Sequence, residues 1–314
     1  MLANDILAFL DGNSISYEIV RIEDKSEIEG YSSLFNYKEG TLTFVAPERR
    51  FKDSISLFGE KKIRFIIIGA NESDYDIFSS VIRVNDPRDV FFKILDGLLA
   101  RTAGEEITGI SSKPDIYKRY SHISEKARIG KNVRIGVGCV IEGNVVIGDN
   151  TEIHHNVVIR NNTKIGKNCT IHSGVIIGEY GFGYIQDSEG RIKMLKHYGG
   201  VTIEDDVHIG DNSVIIRGAL DDTVIHRGAK LNTMVHIAHN DSVGEWTKIT
   251  SPCHVCGSVS IGEKCHIAGV AIRNQRNVGA RSTVGLGAVV VKDVEEGTTV
   301  IGNPAKPMVE GREK

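Results

Sequence analysis

The chain has 314 residues, 40% of them apolar, which is enough for two domains with a sizeable core and excludes disorder throughout. Its 38 basic and 41 acidic side chains leave a net charge of −3, too small a field to recruit nucleic acid or an anionic membrane. Small molecules are the expected partners.

The first stretch, "MLANDILAFLDG", carries Asp5 and Asp11 within its apolar run and lacks a basic leader, so it reads as a short amphipathic helix and not a signal peptide. No apolar run reaches membrane-spanning length, so no membrane span is expected and the compartment is read as cytoplasmic. "KIRFIIIGA", residues 62–70, has the β-branched density of a buried strand. "DPRDVFFKILDGLLA", residues 86–100, opens with Asp86 as N-cap and Pro87 at the first helical position. Val90, Phe91, Ile94, Leu95, Leu98 and Leu99 then share one face. These elements predict a small α/β domain over residues 1–103, serving either to cap the larger domain or to recognise a substrate. A linker over 104–121 joins it to the rest.

From Ile123 an isoleucine falls at every sixth position up to Ile177, and a small or β-branched residue follows four places after each post through Val175. A helix needs a period of 3.6 and a flat strand a period of 2. A sustained period of six therefore predicts short strands that turn a corner every six residues, three to a coil: a left-handed parallel β-helix of hexapeptide repeats over residues 122–303. The fold class is mainly β, with the N-terminal α/β domain appended.

The register resumes at Ile203, Ile209 and Ile215, skips to Ile225, holds through Ile267, and slips by one residue to Ile272 before ending on Val278, Val284 and Val290. The largest interruption is the Gly-rich, charged segment 182–200, and a second is "RGALDD", residues 217–222. Inserted loops on a rigid solenoid mark its binding face. The flat faces of such a prism pair into trimers, so a homotrimer is expected. Cys139, Cys169, Cys253 and Cys265 occupy the small inward position and read as reduced core thiols, whereas Cys256 follows a post and faces out.

Several histidines recur at the coil spacing. His154 and His172 are 18 residues apart, as are His236 and His254, so each pair stacks on adjacent coils. Stacked imidazoles can ligate zinc, but no carboxylate or third histidine completes either pair at a matching offset, and no metal site is expected. His239 stands two residues after the post Ile237, at a corner close to the "RGALDD" interruption. A histidine there suits a general base, because imidazole titrates near neutrality.

The run "GEYGFGYIQDSEGRIKMLKHYGGVTIEDDVHIGDNSVIIRGALDDTVI" followed by "KLNTMVHIAHN" resembles the UDP-3-O-acylglucosamine N-acyltransferases of lipid A biosynthesis. "IEGYSSLFNYKEGTLTFVAPERRF" looks like the uridine-binding domain of that family. The resemblance implies transfer of an acyl group from a thioester to the amine of a nucleotide-activated sugar, for lipopolysaccharide or surface glycan, with His239 as catalytic base. It further implies an acceptor site formed by Asn240, His236, Phe182, Tyr184, His197 and Gln275. Departures accompany it: Asn232 stands where the family carries an orienting aspartate, Gln275 lies near the place of a second family histidine, and "APERRF" replaces a uracil-contacting motif.

The C-terminus, "VGLGAVVVKDVEEGTTVIGNPAKP", looks instead like the closing segment of acetyl-CoA-dependent hexapeptide sugar acetyltransferases. That likeness implicates Gly285, Lys292, Gly302, Asn303, Pro304, Ala305 and Lys306 in holding the donor's pantetheine arm. Separately, a backbone N–H of the glycine-rich coil near Gly257 is expected to hold the oxyanion. The plain alternative is a Gly-Pro stop to the last coil, with a tail over 304–314. The expected donor is acyl-CoA or an acyl carrier protein, with no tightly bound cofactor. Two other readings stay open on sequence: a β-helix metalloenzyme of the carbonic anhydrase type, and a non-catalytic scaffold that binds sugar nucleotides.

Overall fold

A computed structural model describes residues 2–23, 27–33, 37–45, 63–70, 78–99 and 120–308. The expected linker, the "APERRF" stretch, the side chain of Leu99 and the last residues of the tail lie outside them. The chain divides into two compact units, Met1–Glu106 and Ile107–Lys314.

In the first unit, helix α1 (Ala3–Gly12) buries Ala3, Ile6 and Leu10. Strands β1 (Glu18–Arg21), β2 (Gly30–Tyr31), β3 (Thr41–Phe44), β4 (Ile63–Ile68) and β5 (Phe78–Arg83) form one sheet in the order β1-β5-β4-β3-β2. The sheet is parallel except for β1, which runs antiparallel to β5. Helix α2 (Pro87–Ile94) starts as its sequence dictates: the Asp86 carboxylate accepts from the N–H groups of Arg88 and Asp89, and Pro87 fills a position that needs no donor. Val90, Phe91 and Ile94 pack it onto the sheet core, and a single π turn, Leu95–Leu99, comes after it.

The second unit is the expected left-handed parallel β-helix. Its strands, two to four residues long, stack into three sheets of eight, ten and nine. Partners in register are 18 residues apart in the regular coils, as in Ile135↔Ile153↔Ile171. The separation widens to 38 across the inserted segment (Ile165↔Ile203) and to 22 across "RGALDD" (Ile203↔Ile225), then narrows to 17 at Val255↔Ile272. From Ile135 to Val290 every post is at most 2% exposed, so each contributes roughly 1.5–3 kcal/mol of hydrophobic stabilisation. Ile123 and Ile129, in the first coil, are only partly buried, since among the described residues a coil stacks on one side of them alone.

The inward fourth positions explain the four buried cysteines. Cys139 Sγ donates to the carbonyl of His154, Cys169 Sγ to that of Glu204 and Cys265 Sγ to that of Gly279. Thr151 and Thr247 do the same with a hydroxyl and also accept from the N–H 18 residues on. Small polar groups thus satisfy corner backbone inside an otherwise apolar prism. The corners themselves need a left-handed residue three places before the post. Asn132, Asn144, Asn150, Asn156, Asn168, Asn212 and Asn240 supply it with φ between 54° and 61°, which asparagine tolerates.

Candidate active site

The corner Ala238–His239–Asn240 succeeds the strand Val235–Ile237. His239 is half-buried there and lines a groove of about 620 Å³ together with Tyr180, Gly181, Phe182, His236 and Gly257. Two glycines admit the ring. A Cβ on Gly257 would lie 2.6 Å from both Cε1 and Nε2 of His239, and one on Gly181 would lie 3.0 Å from its Cδ2. Any side chain at either position displaces the imidazole.

The tautomer of His239 is set by its neighbour. Asn240 Oδ1 accepts from the N–H of Ala219 at 3.0 Å, and its Nδ2 donates to the carbonyl of Asp221, which fixes the amide orientation. That same Oδ1 lies 3.2 Å from His239 Nδ1, so Nδ1 carries the proton. Nε2, beside Gly257, is left as the acceptor. The N–H of Gly257 itself makes no hydrogen bond among the described residues.

The loop 217–222 ties this corner to the inserted segment. Arg217, 5% exposed, donates to the carbonyl of Gly178 and, through Nη2, to Asn161 O and Oδ1 at 3.0 and 2.9 Å. Its guanidinium also stands 5.2 Å from the centre of the Tyr180 ring. At the other end of the loop, Asp222 accepts from the N–H of Gly200 and the hydroxyl of Thr202. One six-residue loop therefore anchors both ends of the insertion and, through Asn240, the corner that carries His239. The sequence marks the loop as an interruption but does not disclose the roles of Arg217 and Tyr180, because nothing in a linear spacing shows that position 217 faces position 178.

Within the insertion, Tyr184–Gln186 and Ile192–Met194 pair antiparallel as a hairpin. Phe182 is 90% exposed and packs edge-on against Tyr184, their ring centres 4.8 Å apart. His197 is buried, with Nδ1 3.2 Å from the carbonyl of Leu195 and its ring 5.7 Å from that of His239. His236 and His254 stack at 4.8 Å with 14° between planes, as their spacing predicts. Burial, reinforced by the neighbouring His254, holds His236 below the usual imidazole range.

Asp241, two residues beyond His239, does not touch the imidazole. Its carboxyl turns into the prism and accepts from the N–H groups of Ala238 and Val259 at 2.9 and 2.8 Å. Burial pushes its pKa up to about 8, against the pull of those two bonds. Asn232, where the resemblance leads one to expect an orienting aspartate, is exposed and has its Oδ1 bonded to the N–H of Thr233. Asn240 therefore orients the ring.

The remaining expected residues lie apart from the groove wall. Gln275 is an exposed corner residue whose N–H donates to the carbonyl of Gly257. The turn Gly302–Lys306 folds back so that Lys306–Pro307 pairs antiparallel with Val300–Ile301, while Ala305 packs on the solenoid core. Lys292 is exposed, and Gly285 bonds through its N–H to the carbonyl of Val300. The strand Val289–Val290 beside this turn is three strands along the same sheet from Val235–Ile237, about 14 Å at the usual spacing.

The first histidine ladder is longer than its spacing predicts. His208 joins His154 and His172, with ring centres 4.5 Å apart at each step, and Glu152 and Asp211 flank them. The insertion hides this third histidine from a search at offset 18, because it puts Ile171 next to Ile209. Among the described residues, however, no group of three or more histidine, cysteine or acidic side chains has a geometry that could hold a metal ion.

Comparison with known proteins agrees with this architecture. The bacterial transferase hexapeptide (six repeats) family matches residues 126–161. The chain is 50% identical over 94 residues to the UDP-3-O-acylglucosamine N-acyltransferase of Hahella chejuensis, covering 30% of this chain and 27% of that protein. It is 37% identical over 133 residues to the enzyme of the same name from Methylorubrum extorquens, covering 42% and 38%. The chain thus matches well under half the length of these curated relatives. Among solved structures, the UDP-N-acetylglucosamine acyltransferase of Francisella novicida superposes with a TM-score of 0.54 at 26% identity, over 60% of this chain and 68% of that one. The corresponding protein of Bacteroides fragilis gives 0.55 at 26% identity over 63% and 74%.

Proposed function

We propose that this protein is an N-acyltransferase that moves an acyl group from a thioester to the amine of a nucleotide-linked amino sugar, in lipopolysaccharide or surface glycan synthesis. The observation that carries the reading is the His239 imidazole, admitted by Gly181 and Gly257, with Nδ1 bound to Asn240 and Nε2 left as acceptor on the groove. The names of the relatives and the structural likeness support acyl transfer to a UDP-sugar.

In this mechanism the neutral amine attacks the thioester carbonyl carbon, forming the C–N bond. His239 Nε2 takes the proton that the amine sheds. The oxygen that gains charge is met by the N–H of Gly257. Collapse of the tetrahedral intermediate breaks the C–S bond, and the imidazolium returns the proton to the departing thiolate. His236, Phe182 and Tyr184 line the groove that receives the acceptor, while His197 packs behind them.

The donor reaches the groove along the sheet edge from the Gly302–Lys306 turn, and the roughly 14 Å between them suits an extended pantetheine arm. Acyl-CoA and an acyl carrier protein share that arm. The assembly is a homotrimer, supported by large apolar side chains left open on the single chain: Phe182, Leu220 and Leu286 are 90%, 77% and 79% exposed. No helix among the described residues is long and apolar enough to cross a membrane, and the reaction is assigned to the cytoplasm, where thioester donors are made.

The test is thiol release from acetyl-CoA and from a hydroxyacyl carrier protein against UDP- and dTDP-linked amino sugars, with His239→Ala beside the wild type. Turnover that falls by roughly 10²–10⁴ in the variant supports the reading. Turnover unchanged in His239→Ala refutes it.

A further inference from the structure

Position 241 is the fourth after the post Ile237, an inward site that holds valine, threonine, cysteine or alanine in most other coils. Asp241 is 1% exposed there and is the only acidic side chain among the buried described residues. A carboxyl in an apolar prism is costly unless its oxygens are bonded. The fold has a less costly group for the same position, since Thr151 and Thr247 each accept one N–H from the coil 18 residues on and donate to a carbonyl.

A carboxyl does one thing a hydroxyl cannot: it accepts from two N–H groups through two separate oxygens. Oδ1 of Asp241 takes the N–H of Val259 at 2.8 Å, the bond the threonines also make. Oδ2 takes the N–H of Ala238 at 2.9 Å, immediately before His239. The backbone carrying the base and the backbone two residues beyond Gly257 are thus clamped by one side chain from inside the prism. The N–H of Ala238 is otherwise held only by a longer bond, 3.2 Å, to the carbonyl of Val255.

We infer that Asp241 is a positioning residue for acyl transfer: its carboxyl sets the distance between the His239 imidazole and Gly257 by bridging the two corners that carry them. Asn240 chooses the tautomer of the ring, and Asp241 places the corner on which the ring sits. The inference rests on the reading of His239 as the base.

Asp241→Thr separates positioning from mere packing, because threonine keeps the Val259 bond in the way the fold already uses and drops the Ala238 bond. The expected result is a melting temperature at or above that of the wild type, with kcat lowered roughly tenfold or more and KM for both substrates unchanged. Asp241→Val, which matches Val145, Val157 and Val175 at equivalent sites, is expected to fold and to lose more activity. A second readout needs no turnover. In the 15N-histidine-labelled protein, the His239 ring resonances are expected to shift in Asp241→Thr, because the ring moves relative to its surroundings, while the Nδ1–H tautomer set by Asn240 is kept. Wild-type kcat together with an unchanged His239 spectrum in Asp241→Thr overturns the inference. Full activity in His239→Ala, by contrast, removes the catalytic reading, while the imidazole spectrum still reports whether Asp241 places the corner.

Discussion

Gly257→Ala is the sharpest test of the site, because it adds one methyl group and leaves the backbone N–H in place. The added carbon would sit 2.6 Å from Cε1 and Nε2 of His239. Carbon atoms in ordinary contact are about 3.5–4.0 Å apart, so the ring must retreat by about 1 Å. A displacement of that size at a reacting atom costs roughly 10²-fold in rate. The ring can move into the open groove, so the fold has no reason to suffer. Steady-state kinetics beside a thermal melt is the assay, with kcat reduced about 10²-fold and the melting temperature nearly unchanged. A kcat within about twofold of the wild type would refute the reasoning, since the position of Nε2 relative to the substrate could not then matter.

Three further outcomes are expected from the same geometry. Because burial raises the pKa of Asp241 to about 8, the folded state keeps a proton that the unfolded chain releases near pH 4. Its contribution to stability is full below pH 4 and is lost as pH rises towards 8, by at most about 1.4 kcal/mol per unit. Denaturant titrations at pH 5 and pH 8 should show this slope in the wild type and not in Asp241→Val, and equal slopes would contradict it. Arg217→Met removes a buried guanidinium and orphans the carbonyls of Gly178 and Asn161, so stability should fall by about 1–3 kcal/mol for each acceptor left unpaired. A melting temperature unchanged in that variant would show that the loop is anchored elsewhere. Of the five cysteines, only Cys256 is not buried, and burial pushes even its thiol upward in pKa. A thiol reagent should therefore label one cysteine per native chain, slowly, and block the groove as it does so; rapid labelling of several would mean that the prism opens.

The fold is legible because its period is strict. Each hexad places one apolar side chain and one small residue inward, and regular coils stack through that repeat, so the isoleucines alone reveal the prism and its three interruptions. The cysteines are legible for the same reason, since position four has room only for a small side chain. His239 stands out because it occupies a corner beside an interruption. The corner asparagines are equally regular but escape a search for hydrophobic pattern, because their signal is a backbone conformation.

The sixfold repeat carries the architecture, the inward and outward faces, the stacking of His236 on His254 and the corner position of His239. Tertiary structure alone decided what surrounds that imidazole. The orienting group is Asn240 and not a carboxylate, because the loop 217–222 fixes its amide from the next coil. Asp241 points away from the ring because its position in the hexad aims it inward. His208 completes the ladder of His154 and His172 only because a hairpin bulges out and lets distant residues become neighbours. A repeat writes local geometry into every six residues, whereas an insertion sets which coils meet across it, and that depends on where a folded segment returns.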